Sequence, residues 1–355
     1  MTVAIDATPL TLSTGGIVRY TRELAIALAE QFPEDSYILL SDQPFEAPLP
    51  CPPNLRRGRP PRQWLDRRWW LCGVQGAISR SGAELFHGGN FMVPWLPVRP
   101  SVMTLHDLSP WIEASWRGDI RYVRRRAPYQ IGLGLATMII TPSEAVRSQA
   151  IGRFGIHPLR IKSVPLAAAA WFRPVPVPPA PKPYFLFVGA LEPRKNLETL
   201  LNAWRAVHAR HGAELFLAGQ VKADFRPPRP EPGLRLLGEV PDTDLPALYS
   251  GASACLYPSL YEGFGLPVLE AMQCGALVIA SREAAISETA GGAGILLDPG
   301  DAGSWAKAMA AAAAKPEAMA GWRVRAVERA KSFSWARSAR QTREVYEEAV
   351  RRVRD

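Results

Sequence analysis

The chain reads as one pattern written twice, on either side of a segment that can be neither a helix nor a central strand. Arg173-Pro-Val-Pro-Val-Pro-Pro-Ala-Pro-Lys-Pro183 holds six prolines in eleven residues. Proline lacks the amide hydrogen that a helix interior or a sheet ladder needs, so the spacing predicts a stiff, extended link. Before it, short aliphatic runs (Val3–Ile5, Tyr37–Leu40, Glu84–Phe86, Val102–Leu105, Met138–Ile140, Ile161–Val164) alternate with helical stretches. The first of those stretches places Ile17, Tyr20, Leu24, Ala27 and Leu28 on one face. After the link the alternation resumes with Tyr184–Val188, a helix over 196–209, and runs at Leu215–Ala218, Leu234–Leu237, Ala254–Tyr257 and Ala276–Ala280. Strands alternating with helices imply βα units on parallel sheets. Two α/β domains are expected: 1–172, joined by a helix over about 335–355, and 184–334, with 173–183 between them.

Composition limits the function classes. Of 355 residues, 47% are hydrophobic and 21% charged, enough for two cores and too apolar for a disordered chain. No charged-then-apolar leader opens the sequence and no apolar run approaches 18 residues, so the expectation is a cytoplasmic protein. Cys51, Cys72, Cys255 and Cys274 are dispersed, without metal-like spacing, and read as reduced structural residues. The formal charge is +9, and residues 1–170 carry 19 Lys or Arg against 13 Asp or Glu. That excess leaves a polyanion or an anionic membrane open as partners.

The segment richest in chemistry is Tyr261-Glu-Gly-Phe-Gly-Leu-Pro-Val-Leu-Glu270. It reads as a loop between strand and helix, in which Gly263 and Gly265 allow close backbone approach and Pro267 suits a first helical turn. Unpaired amides at such a helix start favour an anion. Glu262 and Glu270 project towards whatever binds there, or are surface residues around an ordinary turn. Upstream, Phe187-Val-Gly-Ala-Leu-Glu-Pro-Arg-Lys-Asn-Leu197 puts Arg194 and Lys195 at the start of a helix, where two cations oppose the helix dipole unless an anion joins them. Near the front stand a glycine pair in Thr14-Gly-Gly-Ile-Val-Arg-Tyr20 and a strand-end histidine in Val102-Met-Thr-Leu-His-Asp107.

Together these segments resemble the retaining glycosyltransferases of family 4, whose signature is two glutamates separated by seven residues. The likeness spans nearly the whole chain, is strongest over 184–300, and is nearest to bacterial O-antigen and exopolysaccharide mannosyltransferases. It implies the GT-B fold: two Rossmann-like domains with parallel sheets facing each other across a cleft, and a C-terminal helix crossing back to the first domain. It places Glu262 and His106 beside the donor sugar and Glu270 on the ribose. The amides of Phe264, Gly265 and Leu266, with Gly15, Gly16 and Gly189, fall near the diphosphate, and Arg194 and Lys195 clamp it. Cations there act mainly on the transition state, because negative charge grows on the phosphate as the sugar bond breaks. Many relatives carry Arg directly after the glycine, where this chain has Ala190, so either half of the clamp is missing or Arg194 supplies it.

The resemblance thus implies transfer of a hexose, with mannose from GDP-mannose the first choice and a UDP-hexose the second, to a lipid-linked or oligosaccharide acceptor. It implies neither cofactor nor metal. Asp242-Thr-Asp244 has the form of a metal–diphosphate motif but precedes a helical run, which makes either aspartate a helix cap. The clusters Trp64–Trp70 and Arg121–Arg126 mix cations with aromatics, which suits an anionic bilayer, nucleic acid, or a solvated helix face. A peripheral membrane contact and no nucleic acid are the expectation. A non-enzymatic nucleic-acid-binding protein is the reading from another class.

Overall fold

The computed structural model describes residues 1–12, 15–48, 51–59, 68–96, 99–116, 121–223 and 225–354, without the side chains of Ala114, Arg121 and Arg354. Thr14 and residues 64–67 of the first Trp/Arg cluster lie outside the described residues. The chain divides into two units. Met1–Trp111, Asp119–Leu166 and Ser334–Asp355 make the first, and Ile112–Gly118 with Ala167–Phe333 make the second. The proline-rich segment is irregular throughout and belongs to the second unit.

The first unit carries strands β1 (Thr2–Asp6), β2 (Ser36–Leu40), β3 (Leu55–Arg57), β4 (Leu85–Gly88), β5 (Ser101–Thr104), β6 (Met138–Thr141) and β7 (Ile161–Ser163). They pair in the order β3-β2-β1-β4-β5-β6-β7, every neighbour parallel. Parallel neighbours need crossovers, which supply α1 (Gly16–Gln31), α2 (Val74–Ser81), α3 (Ser109–Ile112), α4 (Arg121–Gly132) and α5 (Glu144–Phe154). Every residue of β4, β5 and β6 is buried, the polar His87, Ser101, Thr104 and Thr141 included. Ser143 starts α5 by accepting from the Val146 amide at 3.2 Å.

The second unit repeats the plan. Strands β8 (Tyr184–Val188), β9 (Glu214–Ala218), β10 (Leu234–Gly238), β11 (Ala254–Tyr257), β12 (Val278–Ser281) and β13 (Ile295–Leu297) order as β10-β9-β8-β11-β12-β13, all parallel. Its helices are α6 (Leu197–His211), α7 (Leu245–Gly251), α8 (Leu266–Gln273), α9 (Ala284–Ala290), α10 (Ala302–Ala314) and α11 (Ala320–Ala330). Its core gathers Phe185, Phe187, Leu215 and Leu256 from the sheet with Trp204 of α6 and Trp305 of α10. In each sheet the strand order reverses once, between β1 and β4 and between β8 and β11. Such reversals leave a crevice at the carboxyl ends of the two strands.

The long helix α12 (Trp335–Arg354) returns to the first unit, packing on α1, β5 and β6. Buried Asp35 fixes it: its carboxylate takes Arg343 Nε at 2.5 Å and the amino group of Met1 at 2.5 Å. Burial alone would raise the pKa of Asp35, but these two cations hold it below the usual value. Removing one partner of a buried pair leaves charge uncompensated. Arg343→Ala should therefore cost the first unit about 3 kcal/mol, read as a lowered urea midpoint. An unchanged midpoint would show that Met1 alone satisfies Asp35.

Candidate active site

The strand-order reversal of the second unit brings together two loops that are far apart in sequence. After β8 the chain passes Gly189 into the single turn Pro193–Lys195, and after β11 it runs through Pro258–Gly265 into α8. The neighbouring strand ends approach so closely that a Cβ on Gly219, whose φ is +139°, would sit 2.0 Å from the Gly189 carbonyl oxygen. Asn196 locks the first loop to the second. It holds a left-handed φ of 52° and donates its side-chain amide to the carbonyls of Pro258 at 3.2 Å and Pro299 at 2.7 Å.

These constraints deliver Arg194, Lys195 and Glu262 to one place. Glu262 Oε2 accepts from Arg194 Nη1 at 2.9 Å, and Oε1 accepts from Lys195 Nζ at 2.5 Å and from Ser259 Oγ at 2.7 Å. Arg194 also pairs with Glu192 at 2.8 Å and donates to the Tyr261 carbonyl at 3.1 Å. Lys195 is only 7% exposed. Burial pushes Glu262 up, yet Lys195 and Arg194 overcome it and hold the carboxyl at about 2. Burial, with Arg194 beside it, lowers the pKa of Lys195. A carboxylate so pinned is a weak base and a poor nucleophile, and serves as an anchor for the two cations. Sequence reasoning selected all three but missed Glu192 and Ser259, whose contacts no motif announces.

The rest of the signature lies on α8. Gly265, at φ 86°, precedes the helix, and no side chain caps its first turn at Leu266. Phe264 is buried, and its carbonyl accepts from the Thr289 hydroxyl at 2.6 Å. Glu270 is 1% exposed and accepts from the buried Tyr249 hydroxyl at 3.2 Å. A further carboxyl, Glu283, follows β12 and caps α9 through the Ile286 amide at 3.0 Å. Burial raises it to about 7, with Glu262 adding to the shift. Nothing in its local sequence marked it.

In the first unit Gly15 precedes α1 with φ 124°, and Gly16 opens the helix; both are exposed. His106 follows β5, and its Nε2 donates to the Gly89 carbonyl at 2.7 Å, which leaves Nδ1 as the acceptor. Burial lowers its pKa, so the ring is neutral. Tyr20 sets its edge against the ring at 4.7 Å, and a chain of bonds runs from the Tyr20 hydroxyl through Thr104 and His87 to Tyr346 of α12, each at 2.7–2.8 Å. Asp107 accepts from Ser109 at the start of α3, at 2.9 Å from its amide and 2.7 Å from its hydroxyl. Asp6, at the end of β1, is buried and raised by that burial to about 6.

Two expectations need correction. Trp69 is not a surface aromatic: it is buried among Ala4, Ile38, Val74 and Phe86, because the chain turns inward ahead of α2. Asp244 stands at the N-cap position of α7, but its carboxylate accepts from the Thr243 hydroxyl at 3.0 Å and no amide reaches it. Among the described residues no three His, Cys, Asp or Glu side chains converge on a point that could hold a metal ion, and no helix is long and apolar enough to cross a membrane.

Comparison with known proteins places this geometry in context. Residues 182–315 match the family described as Glycosyl transferases group 1, and residues 14–168 the one described as Glycosyltransferase Family 4. The chain is 34% identical over 293 residues to the O-antigen chain mannosyltransferase B of Escherichia coli, a match covering 74% of each protein. It is 28% identical to D-inositol 3-phosphate glycosyltransferase 2 of Catenulispora acidiphila, over 82% of this chain and 71% of that protein. Among solved structures, sucrose-phosphate synthase from Thermosynechococcus elongatus superposes with a TM-score of 0.75 at 22% identity, over 98% of both chains. The Anabaena protein HepE in complex with UDP-glucose gives a TM-score of 0.73 at 18% identity, over 98% of this chain and 100% of that one. These likenesses establish the GT-B fold.

The pinned carboxylate has a measurable signature. Folding lowers the pKa of Glu262, so the unfolded chain binds that proton more tightly, and the stabilisation is complete above about pH 4.5 and lost as pH falls towards 2. Glu262→Gln should cost about 3 kcal/mol at pH 7, a gap that narrows through that acid range in chemical denaturation. A gap independent of pH would contradict the ionic account.

Proposed function

The chain belongs to the family-4 glycosyltransferases, and from that we propose that it moves a hexose from a nucleotide-sugar to an acceptor hydroxyl with retention of anomeric configuration. The best match is mannose from GDP-mannose, delivered to a lipid-linked or oligosaccharide acceptor during synthesis of bacterial surface polysaccharide at the cytoplasmic membrane face. The observation that carries the reading is the buried Arg194–Glu262–Lys195 cluster at the strand-order reversal, with the uncapped start of α8 in the same loop. The mannosyl choice rests on the 34% identity to the O-antigen mannosyltransferase. A UDP-hexose is the second reading, favoured by the UDP-glucose bound in the HepE structure.

In this mechanism Arg194 and Lys195 neutralise the departing diphosphate, and the first-turn amides of α8 share that task. The bond between the anomeric carbon and the phosphate oxygen breaks. That oxygen takes the proton of the acceptor hydroxyl, whose oxygen bonds to the same face of the sugar. Glu262, held at about 2 and fully engaged, need not attack. Two side chains answering for the phosphate charge leave no step that calls for a metal. Glu270 is assigned the ribose and His106 the sugar, in each case from the family resemblance.

Lys195→Ala should lower kcat about 100-fold while nucleotide binding changes little, whereas Glu270→Ala should chiefly weaken donor binding. Thermal shifts with GDP, UDP, ADP and their sugars identify the base, because a bound ligand raises the melting temperature by mass action. Wild-type turnover in both variants would overturn the assignment.

Membrane contact falls to α4 and the turn after it. Tyr122, Arg125, Tyr129 and Leu133 follow one helical face, with Tyr129 67% and Leu133 68% exposed. Aromatic and aliphatic side chains interleaved with arginine suit an anionic bilayer surface. Replacing Tyr129 and Leu133 by Ser should weaken binding to phosphatidylglycerol-containing vesicles about tenfold in a sedimentation assay. Undiminished binding would remove α4 from the contact.

A further inference from the structure

One aromatic ring next to the loop of the cation cluster comes from a connection of the other sheet. The single turn Ala114–Trp116, which follows β5 and α3 in sequence, groups with the second unit and packs against the turn Pro193–Lys195. There the Trp116 indole stacks on Tyr261, with ring centroids 6.0 Å apart and planes inclined by 16°. Tyr261 is buried, precedes Glu262, and lends its carbonyl to Arg194. Trp116 is half-buried and forms the outer layer of the pair. Next to this stacked pair the Arg194, Lys195 and Glu262 side chains are only 9–17% exposed.

We propose that Trp116 is a water-excluding residue that shields the Arg194–Glu262–Lys195 cluster, so that the sugar is kept for the acceptor and not lost to hydrolysis. This rests on the glycosyl-transfer reading above. The competing reaction needs only water: the bond from the anomeric carbon to the phosphate oxygen breaks, water oxygen bonds to that carbon, and the water proton goes to the leaving phosphate. Excluding water both removes that nucleophile and keeps the field of the two cations from being screened. A broad, rigid ring does so at low entropic cost. In this role Trp116 acts through Tyr261, whose ring it stacks on and whose carbonyl accepts from Arg194.

The test compares two rates in the full-length protein: release of GDP from GDP-mannose without acceptor, and transfer to methyl α-mannoside, with UDP-glucose run in parallel. Trp116→Ala should raise the ratio of hydrolysis to transfer about tenfold, with GDP affinity by titration unchanged. Trp116→Phe, which preserves the stack, should restore the wild-type ratio. Trp116→Leu, which keeps apolar bulk without stacking, gives an intermediate ratio and serves in place of the alanine variant should that one fail to fold. An unchanged ratio, or a raised donor KM with no extra hydrolysis, overturns the shielding role and leaves the transfer reading standing. Release of neither nucleotide by the wild type overturns the transfer reading itself.

Discussion

A buried carboxylate between two buried cations survives only when its lone pairs are used, and that demand organises the second unit. Glu262 meets it with Arg194, Lys195 and Ser259, and Arg194 meets its own with Glu192 and the Tyr261 carbonyl. Desolvation penalises each of these charges, so the arrangement holds only where neighbouring backbone is fixed to within a few tenths of an ångström. Asn196 provides that fixity by taking a left-handed conformation and bonding both Pro258 and Pro299, and β8 and β11 provide it by pairing side by side. The cluster contains two positive and two negative groups. In the proposed mechanism a phosphate takes over donors that Glu192 and Glu262 hold.

The first unit solves a different problem, mostly with neutral groups. Its reversal between β1 and β4 holds no cation cluster among the described residues; it holds a neutral histidine, a raised aspartic acid and a run of hydroxyls. His87 is pushed far down by burial to about 3, so it bridges Thr104 and Tyr346 as an uncharged ring. Uncharged hydrogen-bonding groups cost less to bury than ions and discriminate hydroxyls well. One fold, used twice, thus carries a cluster of ion pairs in one copy and mainly uncharged polar groups in the other.

Much of this was legible in the sequence because parallel strands buried on both faces leave unbroken aliphatic runs. Tyr184–Val188 and Ala254–Tyr257 are read to the residue for that reason. Leu55–Arg57 was not read as a strand, since a three-residue edge strand with two exposed arginines carries no periodicity. Arg194, Lys195 and Glu262 were found through their motif, but their mutual contact belongs to sheet topology, which sets side by side two loops about 67 residues apart. Trp116 on Tyr261 and Glu283 at α9 were invisible for the same reason: each depends on a neighbour that sequence distance hides. Trp69 misled, because a tryptophan beside arginines looks like a surface anchor until the turn before α2 carries it inward.

The position of α12 has a bearing on how the protein is made. The seven strands of the first unit are synthesised by Ser163, yet the helix that covers α1, β5 and β6 comes only with residues 335–354. At 5–20 residues per second the ribosome needs roughly 10 to 40 s to supply it. For that interval α1, β5 and β6 lack the helix that packs on them. The second unit is nearly continuous in sequence and can close earlier. The unit begun first is therefore finished last, and the nascent first unit is the stage at which a chaperone has something to hold.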